Sequence, residues 1–313
     1  MAEQDRTRRA SDVFIGVVTV LFNSDDVLED FVASLASAAS HASFEVKLYC
    51  IDNSPTATGT DTVKGLCQRS GLAGEFVFNN ANVGVAAGNN QGLRLALADG
   101  CTHVLFANND IEFAPDTLRV LVDALMASGE KVATPKILYH GQEIIWYGGG
   151  SFDWKARTHH AGFEEADVGQ CDRQALTGYA PTCFMLLEAS VFERVGEMDE
   201  RYFCYYDDSD FVWRMAQSGI PVLYVPGSVV RHKVSFSTGG NLSSFSIYYM
   251  NRNRIYFARK NYRGLHRFVA LATILLSLAR KSIRRGPLTR QLLARMWSGA
   301  WDGLRLPATK ASA

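Results

Sequence analysis

The first 140 residues alternate short apolar runs rich in β-branched residues with longer amphipathic runs. The apolar runs predict strands at 14–22, 45–51, 75–78, 103–107 and 132–138. The amphipathic runs predict helices near 27–38, 61–70, 85–98 and 115–128. Strands separated by helices of this length are typical of βαβ units. The alternation therefore predicts an α/β fold built on a doubly wound, mostly parallel sheet.

Small polar residues follow four of the predicted strands. These segments are Thr19–Ser24, Asp52–Pro55, Asn79–Gly84 and Asn108–Asp110. Asn, Asp, Ser, Pro and Gly dominate turns, so a simple turn explains any one segment. Ligands of open α/β sheets bind at the carboxyl ends of the strands, and four such segments on one edge favour a binding rim.

Asp110 ends an apolar run, so its carboxylate must face this rim or be paired, because an isolated buried charge is costly. A carboxylate with neutral oxygens nearby suits Mg²⁺ or Mn²⁺, which would also engage phosphate oxygens. The chain lacks the GxxxxGK[ST] pattern of a P-loop, and its NVGVAAGNNQG segment lacks GxGxxG spacing. We therefore expect a metal-assisted site for nucleotide phosphate.

The adjacent acids Asp207 and Asp208 precede an amphipathic run, where a strand or loop turns into a helix. A carboxylate at such a position suits a general base. The alternative is that one of the acids caps the helix, since Asp is a favoured N-cap residue. Sequence alone leaves both interpretations open.

His232 lies in a second apolar stretch, where a lone histidine is usually structural. Its neighbours Arg231 and Lys233, and the small polar residues at 235–240, form a cluster suited to anions. A neutral imidazole here could complete the metal site. The adjacent His159 and His160 lie in a polar segment, and we expect them to be solvated.

The charges are distributed unevenly along the chain. Residues 211–313 carry 17 of the 32 Lys and Arg but only one of the 32 Asp and Glu. The longest apolar run there, 268–279, is shorter than the ~20 residues that span a bilayer. We expect this basic region to lie on an anionic membrane surface; the alternative is a set of charged helices that cover the body. The acidic body disfavours nucleic acid.

The six cysteines have no CxxC spacing, and the polar N-terminus MAEQDRTRRA is not followed by the h-region of a signal peptide. Both features indicate a reducing cytoplasm. Cys50, Cys101 and Cys183 lie in apolar runs and are expected in the core. We expect residues 1–12 to be disordered, 13–242 to form the catalytic domain and 243–313 to form basic amphipathic helices.

Six motifs in order give the chain a family resemblance: VVTVLFNSDDVLEDFVASL, IDNSP, NNANVGVAAGNNQGL, LFANNDIEF, GEMDERYFCYYDDSDFVWR and VPGSVVRHK. Over residues 13–260 the chain resembles the family 2 inverting glycosyltransferases of GT-A fold. The nearest branch is that of bacterial rhamnosyltransferases and galactofuranosyltransferases. The resemblance implies a nucleotide-sugar half at 13–140 and an acceptor half at 141–242.

The resemblance also implies roles on the donor side. Thr19, Asn23 and Asp52 would hold the nucleotide, with Asp52 near the base. The loop from Asn82 through Gly84 to Asn89 would cover the ribose and the sugar.

For catalysis, Asp110 would be the last residue of the DxD metal motif, which here begins with Asn108 instead of Asp. His232 would be the additional metal ligand. Asp208 would be the base, and Asp207 would orient the acceptor. The acid pair is Asp-Asp where Glu-Asp is commoner in the family.

These inferences predict a peripheral membrane enzyme at the cytoplasmic face. It would transfer a sugar, for example rhamnose from dTDP-rhamnose, to a lipid-linked or polysaccharide acceptor. Two alternatives remain open at this point: a non-catalytic protein that binds nucleotide sugars or polyanions, and a nucleotidyltransferase.

Overall fold

The structure is a computed structural model, which describes residues 12–233, 243–283 and 289–307. The strands are β1 Phe14–Leu21, β2 Glu45–Asp52, β3 Gly74–Phe78, β4 His103–Ala107, β5 Ile111–Phe113, β6 Val132–Tyr139, β7 Ile145–Tyr147, β8 Gly150–Phe152, β9 Thr158–His160, β10 Ala175–Thr177, β11 Phe184–Glu188 and β12 Val222–His232. The helices are α1 Leu28–His41, α2 Thr58–Ser70, α3 Val85–Ala98, α4 Thr117–Ser128, α5 Ser190–Val195, α6 Asp207–Gln217, α7 Ser244–Asn261, α8 Gly264–Ile283 and α9 Arg290–Arg305.

One large sheet organises the molecule, in the strand order β10-β12-β6-β11-β4-β1-β2-β3. The neighbours β4, β1, β2 and β3 are all parallel, as the alternating sequence predicts. Strand β11 lies between β4 and β6 and is antiparallel to both. The sheet is therefore mixed in its second half, and the predicted α/β fold is confirmed.

Helix α3 packs unusually close to β1. A Cβ atom at Gly92 would lie 2.4 Å from Val18 Cγ1, and one at Gly88 would lie 2.8 Å from Val20 Cγ2. Both distances are below van der Waals contact, so only glycine fits at these two positions. The glycines of the NVGVAAGNNQG segment thus serve the packing of α3 on the sheet.

The C-terminal helices form a second apolar core, which includes Ile255, Phe257, Ile274 and Met296. A buried ion-pair cluster ties α7 to the sheet domain. Lys260 Nζ lies 2.7 Å from Asp199 Oδ2 and 2.8 Å from Asp210 Oδ2. All three side chains are at most 7% exposed. These helices are therefore an integral part of the fold.

The last strand and the segment after Gly148 each have a local feature. Residues 222–225 and 229–231 belong to one strand, β12, with a register shift between Val225 and Val229. The Gly-rich segment after Gly148 contains the hairpin of β8 and β9. Cys50, Cys101 and Cys183 are buried, as expected. The predicted disorder of residues 1–11, the anion cluster at 235–240 and the basic residues 284 and 285 lie outside the described residues.

Candidate functional site

Two adjoining cavities open at the carboxyl ends of β1 and β4. The larger has a volume of about 1290 Å³ and the smaller about 920 Å³. The two cavities form one continuous cleft, because both are lined by Asn108, His160, Thr182 and His232. Of the predicted site residues, Asn82, Gly84, Asn89 and Asp110 line only the larger cavity, whereas Asp207 and Asp208 line the smaller.

Strand pairing brings Asp110 and His232 together. Because β5 pairs with β12, His232 lies opposite Ile111, the residue after Asp110. His232 Nε2 is 3.1 Å from Asp110 Oδ1, but the two atoms do not meet hydrogen-bond geometry. Asp110 Oδ1 and His232 Nδ1 are both buried and lack a hydrogen-bond partner among the described residues. Buried polar atoms normally have partners, so this pair is prepared for a ligand.

The pair fits a divalent cation that is completed by its substrate. In the described part of the chain, no group of three or more His, Cys, Asp or Glu side chains could hold a metal by itself. Mg²⁺ and similar ions commonly use one or two protein carboxylates together with substrate phosphates and water. Asn108, exposed at the start of the same turn, offers a further oxygen. Asn109 instead donates a buried hydrogen bond to Ser24 Oγ.

The loop before α3 shapes the larger cavity. Asn82 Oδ1 accepts a hydrogen bond from the Gly84 amide at 3.1 Å, and Asn53 Nδ2 donates to Gly84 O at 3.1 Å. Gly84 has φ 90°, and a Cβ atom there would lie 2.6 Å from Phe203 O. Glycine is thus required both by backbone conformation and by close packing. Asn89 is buried beneath this loop, with Nδ2 3.7 Å from Met198 Sδ.

Three predicted nucleotide-binding residues do not line either cavity in the described part of the chain. Asp52 is buried, and its carboxylate accepts hydrogen bonds from the Ser54 amide and from both the amide and hydroxyl of Thr60. Thr19 Oγ1 is buried without a partner, and the Asn23 amide donates to Ser54 Oγ. Asp52 therefore anchors the first turn of α2, and a contact of these residues with nucleotide stays a prediction.

The acid pair begins α6. The N-cap residue is Tyr206, whose side chain makes no cap hydrogen bond. Asp208 Oδ2 accepts a hydrogen bond from the Tyr179 hydroxyl, while Oδ1 accepts the Ser209 amide at 2.5 Å and its hydroxyl at 3.1 Å. Neither acid is therefore the N-cap residue, although Asp208 accepts one backbone amide of the first turn, and its carboxylate is held in the cavity wall.

The two acids differ in their ionisation. Burial, together with the neighbouring charge of Asp208, raises the pKa of Asp207 to about 8. Burial also raises the pKa of Asp208, but the hydrogen bonds from Tyr179 and Ser209 oppose this rise. Two adjacent buried carboxylates resist double ionisation. Near neutral pH, therefore, the pair resists a second negative charge, and the hydrogen bonds from Tyr179 and Ser209 favour the charged form at Asp208.

A strained loop precedes the acid pair. Phe203, Tyr205 and Tyr206 have positive φ values of 67°, 61° and 65°. Backbone conformations with positive φ cost a non-glycine residue about 1–3 kcal/mol each. Asn253 of α7 is fully buried, and its Nδ2 donates to the carbonyl oxygens of Tyr202, Cys204 and Tyr205 at 2.7–2.9 Å. Helix α7 thereby fixes the backbone that leads into the acids.

Sequence reasoning missed Tyr179 and misjudged His160. His159 is exposed as expected, but His160 is half-buried and stacks on Tyr179 with ring centroids 5.7 Å apart. His160 Nδ1 lies 2.8 Å from the Trp146 carbonyl oxygen and must donate to it, so Nε2 lacks a proton in the neutral ring. Burial lowers the pKa of His160. No spacing in the sequence links either residue to the acid pair.

Comparison with known proteins gives consistent matches. The model of the family described as Glycosyl transferase family 2 matches residues 16–195. A low-salt glycan biosynthesis hexosyltransferase of Haloferax volcanii is 21% identical over 77% of this chain and 74% of its own. The N-acetylglucosaminyl-diphospho-decaprenol L-rhamnosyltransferase of Mycobacterium tuberculosis is 25% identical over 73% of this chain and 78% of its own.

Solved structures share the fold at low identity. A mannosyltransferase from Pyrobaculum calidifontis, in complex with GDP-Man and Mn²⁺, has a TM-score of 0.58 and 15% identity, over 95% of this chain and 91% of its own. GalNAc-T7 with UDP, GalNAc and Mn²⁺ has a TM-score of 0.64 and 15% identity. The match covers 94% of this chain but only 56% of GalNAc-T7. The predicted GT-A fold is thereby confirmed.

Proposed function

The chain belongs to glycosyl transferase family 2, and we propose that it transfers a sugar from a nucleotide-sugar donor to an acceptor hydroxyl with inversion. One observation supports this most strongly. The Asp110–His232 pair lines one cavity and the Asp207–Asp208 pair lines its neighbour, and the two cavities share a wall. A donor diphosphate and an acceptor can therefore meet within one cleft.

Asp208 is suited to act as the base. Its charge is held by Tyr179 and Ser209, and it lies in the wall of the cavity that would take the acceptor. A base within hydrogen-bond reach of a hydroxyl removes its proton as the new bond forms. Asp207, when protonated, can donate a hydrogen bond that orients the acceptor. A single displacement needs no carboxylate nucleophile, unlike retaining glycoside hydrolysis.

The donor side would be held by Asp110 and His232, with the Asn82–Asn89 loop over the sugar. A divalent cation bound here, Mg²⁺ or Mn²⁺, would neutralise the charge on the departing diphosphate. Both solved neighbours carry Mn²⁺, in agreement with a divalent ion at such a site. Rhamnose from dTDP-rhamnose is our leading donor, because an L-rhamnosyltransferase is among the relatives.

We propose further that the enzyme binds a membrane surface through α8. No helix in the described residues is long and apolar enough to cross a bilayer. One face of α8 packs inward through Ala270, Ile274 and Leu278. The opposite face is also apolar but exposed: Leu265, Phe268, Leu276 and Ile283 are 59–84% exposed. An exposed apolar face with Arg and Lys nearby suits an anionic interface.

The test of the transferase activity is a panel of nucleotide sugars with Mn²⁺ and purified protein. We expect one donor to be hydrolysed and to raise the melting temperature more than the others. If no nucleotide sugar binds or reacts with Mg²⁺ or Mn²⁺, the proposal is wrong.

A further inference from the structure

The smaller cavity carries more positive charge than its acid pair offsets. The cavity that Asp207 and Asp208 line is also lined by three basic residues, namely Arg157 next to β9, Arg254 of α7 and Lys281 of α8. Near neutral pH the acid pair holds about one negative charge, because two adjacent buried carboxylates resist double ionisation. Three cations therefore face a single anionic charge.

These cations are poorly compensated by the protein itself. Arg157 Nε pairs with Asp153 Oδ2 at 3.0 Å, but Arg254 donates only to the carbonyl oxygen of Lys155, at 2.9 and 3.1 Å. Burial lowers the pKa of Arg254; the nearby charge of Arg157 adds to this effect, whereas the charge of Asp153 opposes it. Lys281 is exposed, and no ion pair joins it to another residue in the described part of the chain. A half-buried guanidinium that no carboxylate hydrogen-bonds is costly unless a ligand supplies the negative charge.

The place of these basic residues in the fold favours a lipid as the molecule that carries the negative charge. Lys281 lies near the end of α8, whose outer face is apolar and exposed. The same cavity is also lined by the apolar side chains of Ile247, Met250 and Met296. A molecule in this cavity could therefore place its reacting hydroxyl at the acids, an anionic group at the cations and a hydrocarbon tail toward the surface of α8.

We propose that Arg157, Arg254 and Lys281 bind a phosphate group of the acceptor, and that this phosphate is carried by a lipid. The inference rests on the proposed function and specifies its acceptor. Guanidinium groups suit phosphate because they can donate two parallel hydrogen bonds to it, while Lys281 adds a point charge.

The probe is geranyl diphosphate, titrated by calorimetry in EDTA so that the metal-dependent donor site cannot bind it. We expect Arg254→Gln and Lys281→Gln each to weaken its binding about tenfold, since each removes a charged partner. Arg280→Gln, an exposed neighbour on the same helix that does not line the cavity, is the matched control and should bind as the wild type does. Arg254→Lys keeps the charge but not the two parallel hydrogen bonds, so it should bind more tightly than Arg254→Gln and more weakly than the wild type.

The outcomes separate the sources of binding. Equal affinity for geraniol would show that only the tail is bound, and equal affinity for inorganic pyrophosphate would show that no lipid is required; either result overturns the proposal. So does an affinity that Arg254→Gln and Lys281→Gln leave unchanged. Donor hydrolysis with Mn²⁺ is measured separately. A protein that hydrolyses its donor but does not bind geranyl diphosphate refutes this inference alone, whereas the reverse pattern refutes the transferase proposal.

Discussion

The hydroxyl of Tyr179 donates a hydrogen bond to Asp208 Oδ2, although the two residues are 29 positions apart in sequence. Tyr179 precedes β11 and Asp208 lies in the first turn of α6, so the bond joins the central sheet to the helix of the acid pair. Burial raises the pKa of the Tyr179 hydroxyl well above its usual value, and the phenol stays a donor. This bond stabilises the charged form of the proposed base.

We predict that Tyr179→Phe moves the acid limb of the pH–kcat/KM profile to higher pH. The base acts when ionised, and activity is lost as the pH falls through its pKa. The Tyr179 hydroxyl lowers the pKa of Asp208 by donating a hydrogen bond to its carboxylate. Its removal should therefore raise this pKa by about 1–2 units, the equivalent of one hydrogen bond to a charged group. Tyr147→Phe, which removes another buried hydroxyl that bonds Tyr179 O, should leave the limb in place. An unchanged limb in Tyr179→Phe would contradict the role of Asp208.

We predict that Asp208→Asn lowers turnover about 10²- to 10⁴-fold while donor affinity survives, because the amide cannot accept the acceptor's proton. Asp207→Asn alters the group that would orient the acceptor and should chiefly raise the KM of the acceptor. Steady-state transfer kinetics together with donor binding distinguish the two variants. Near-normal turnover in Asp208→Asn would place the base elsewhere.

We predict that Asp110→Ala loses metal-dependent binding of nucleoside diphosphate, since its carboxylate would be the main protein ligand of the cation. His232→Ala should change binding in the same direction but less, because imidazole is a neutral ligand. Titration of nucleoside diphosphate with and without Mn²⁺ measures both effects. The metal site is misassigned if Asp110→Ala retains the full Mn²⁺-dependent gain in affinity.

We predict that Lys260→Met lowers the free energy of unfolding by about 1.5–3 kcal/mol, because Asp199 and Asp210 lose a buried cation but keep their arginine partners. Lys131→Met is the matched control: Lys131 also pairs with an acid, Glu188, but is 43% exposed. Its loss should cost at most about 1 kcal/mol. Urea unfolding curves give both values, and similar costs for the two variants would refute a stabilising role of the buried cluster.

We predict that Phe268→Ser weakens sedimentation with phosphatidylglycerol vesicles, and that wild-type binding falls as salt rises. Surface Lys and Arg contribute about 1 kcal/mol each near such membranes, and the charge effect is screened beyond about 8 Å at physiological salt. Leu176→Ser removes a comparably exposed apolar residue far in sequence from α8 and should not matter. If the wild-type protein binds neither anionic nor neutral vesicles, the result favours the alternative that the C-terminal helices only cover the body of the protein.

The sequence predicted the parallel half of the sheet closely, because those strands and helices are long enough to show a period. Strand β4 is observed at His103–Ala107, as predicted. The strands β5, β7 and β10 were not predicted, since three residues carry almost no periodicity. The family membership and the enzyme class inferred from the motifs are confirmed.

The site was harder to predict from sequence. Asp110 and His232 were proposed together as metal ligands, and strand pairing places them in contact. The roles given to both residues stay predictions. The Asp52 carboxylate accepts hydrogen bonds from Thr60 and Ser54 within the protein, which no motif could show, and its contact with nucleotide also stays a prediction. Tyr179 was missed because only the folded chain brings it to Asp208.

The pairing of β5 with β12 also sets an order of events during synthesis. Asp110 and His232 are 122 residues apart in the sequence, and His232 is the last residue of the last strand to join the sheet. At a ribosomal rate of about 5–20 residues per second, this separation takes about 6–24 s to translate. A nascent chain that already holds the first parallel strands thus lacks one of the two residues of the proposed cation site. A cation could not be held by this pair until nearly all of the sheet has left the ribosome.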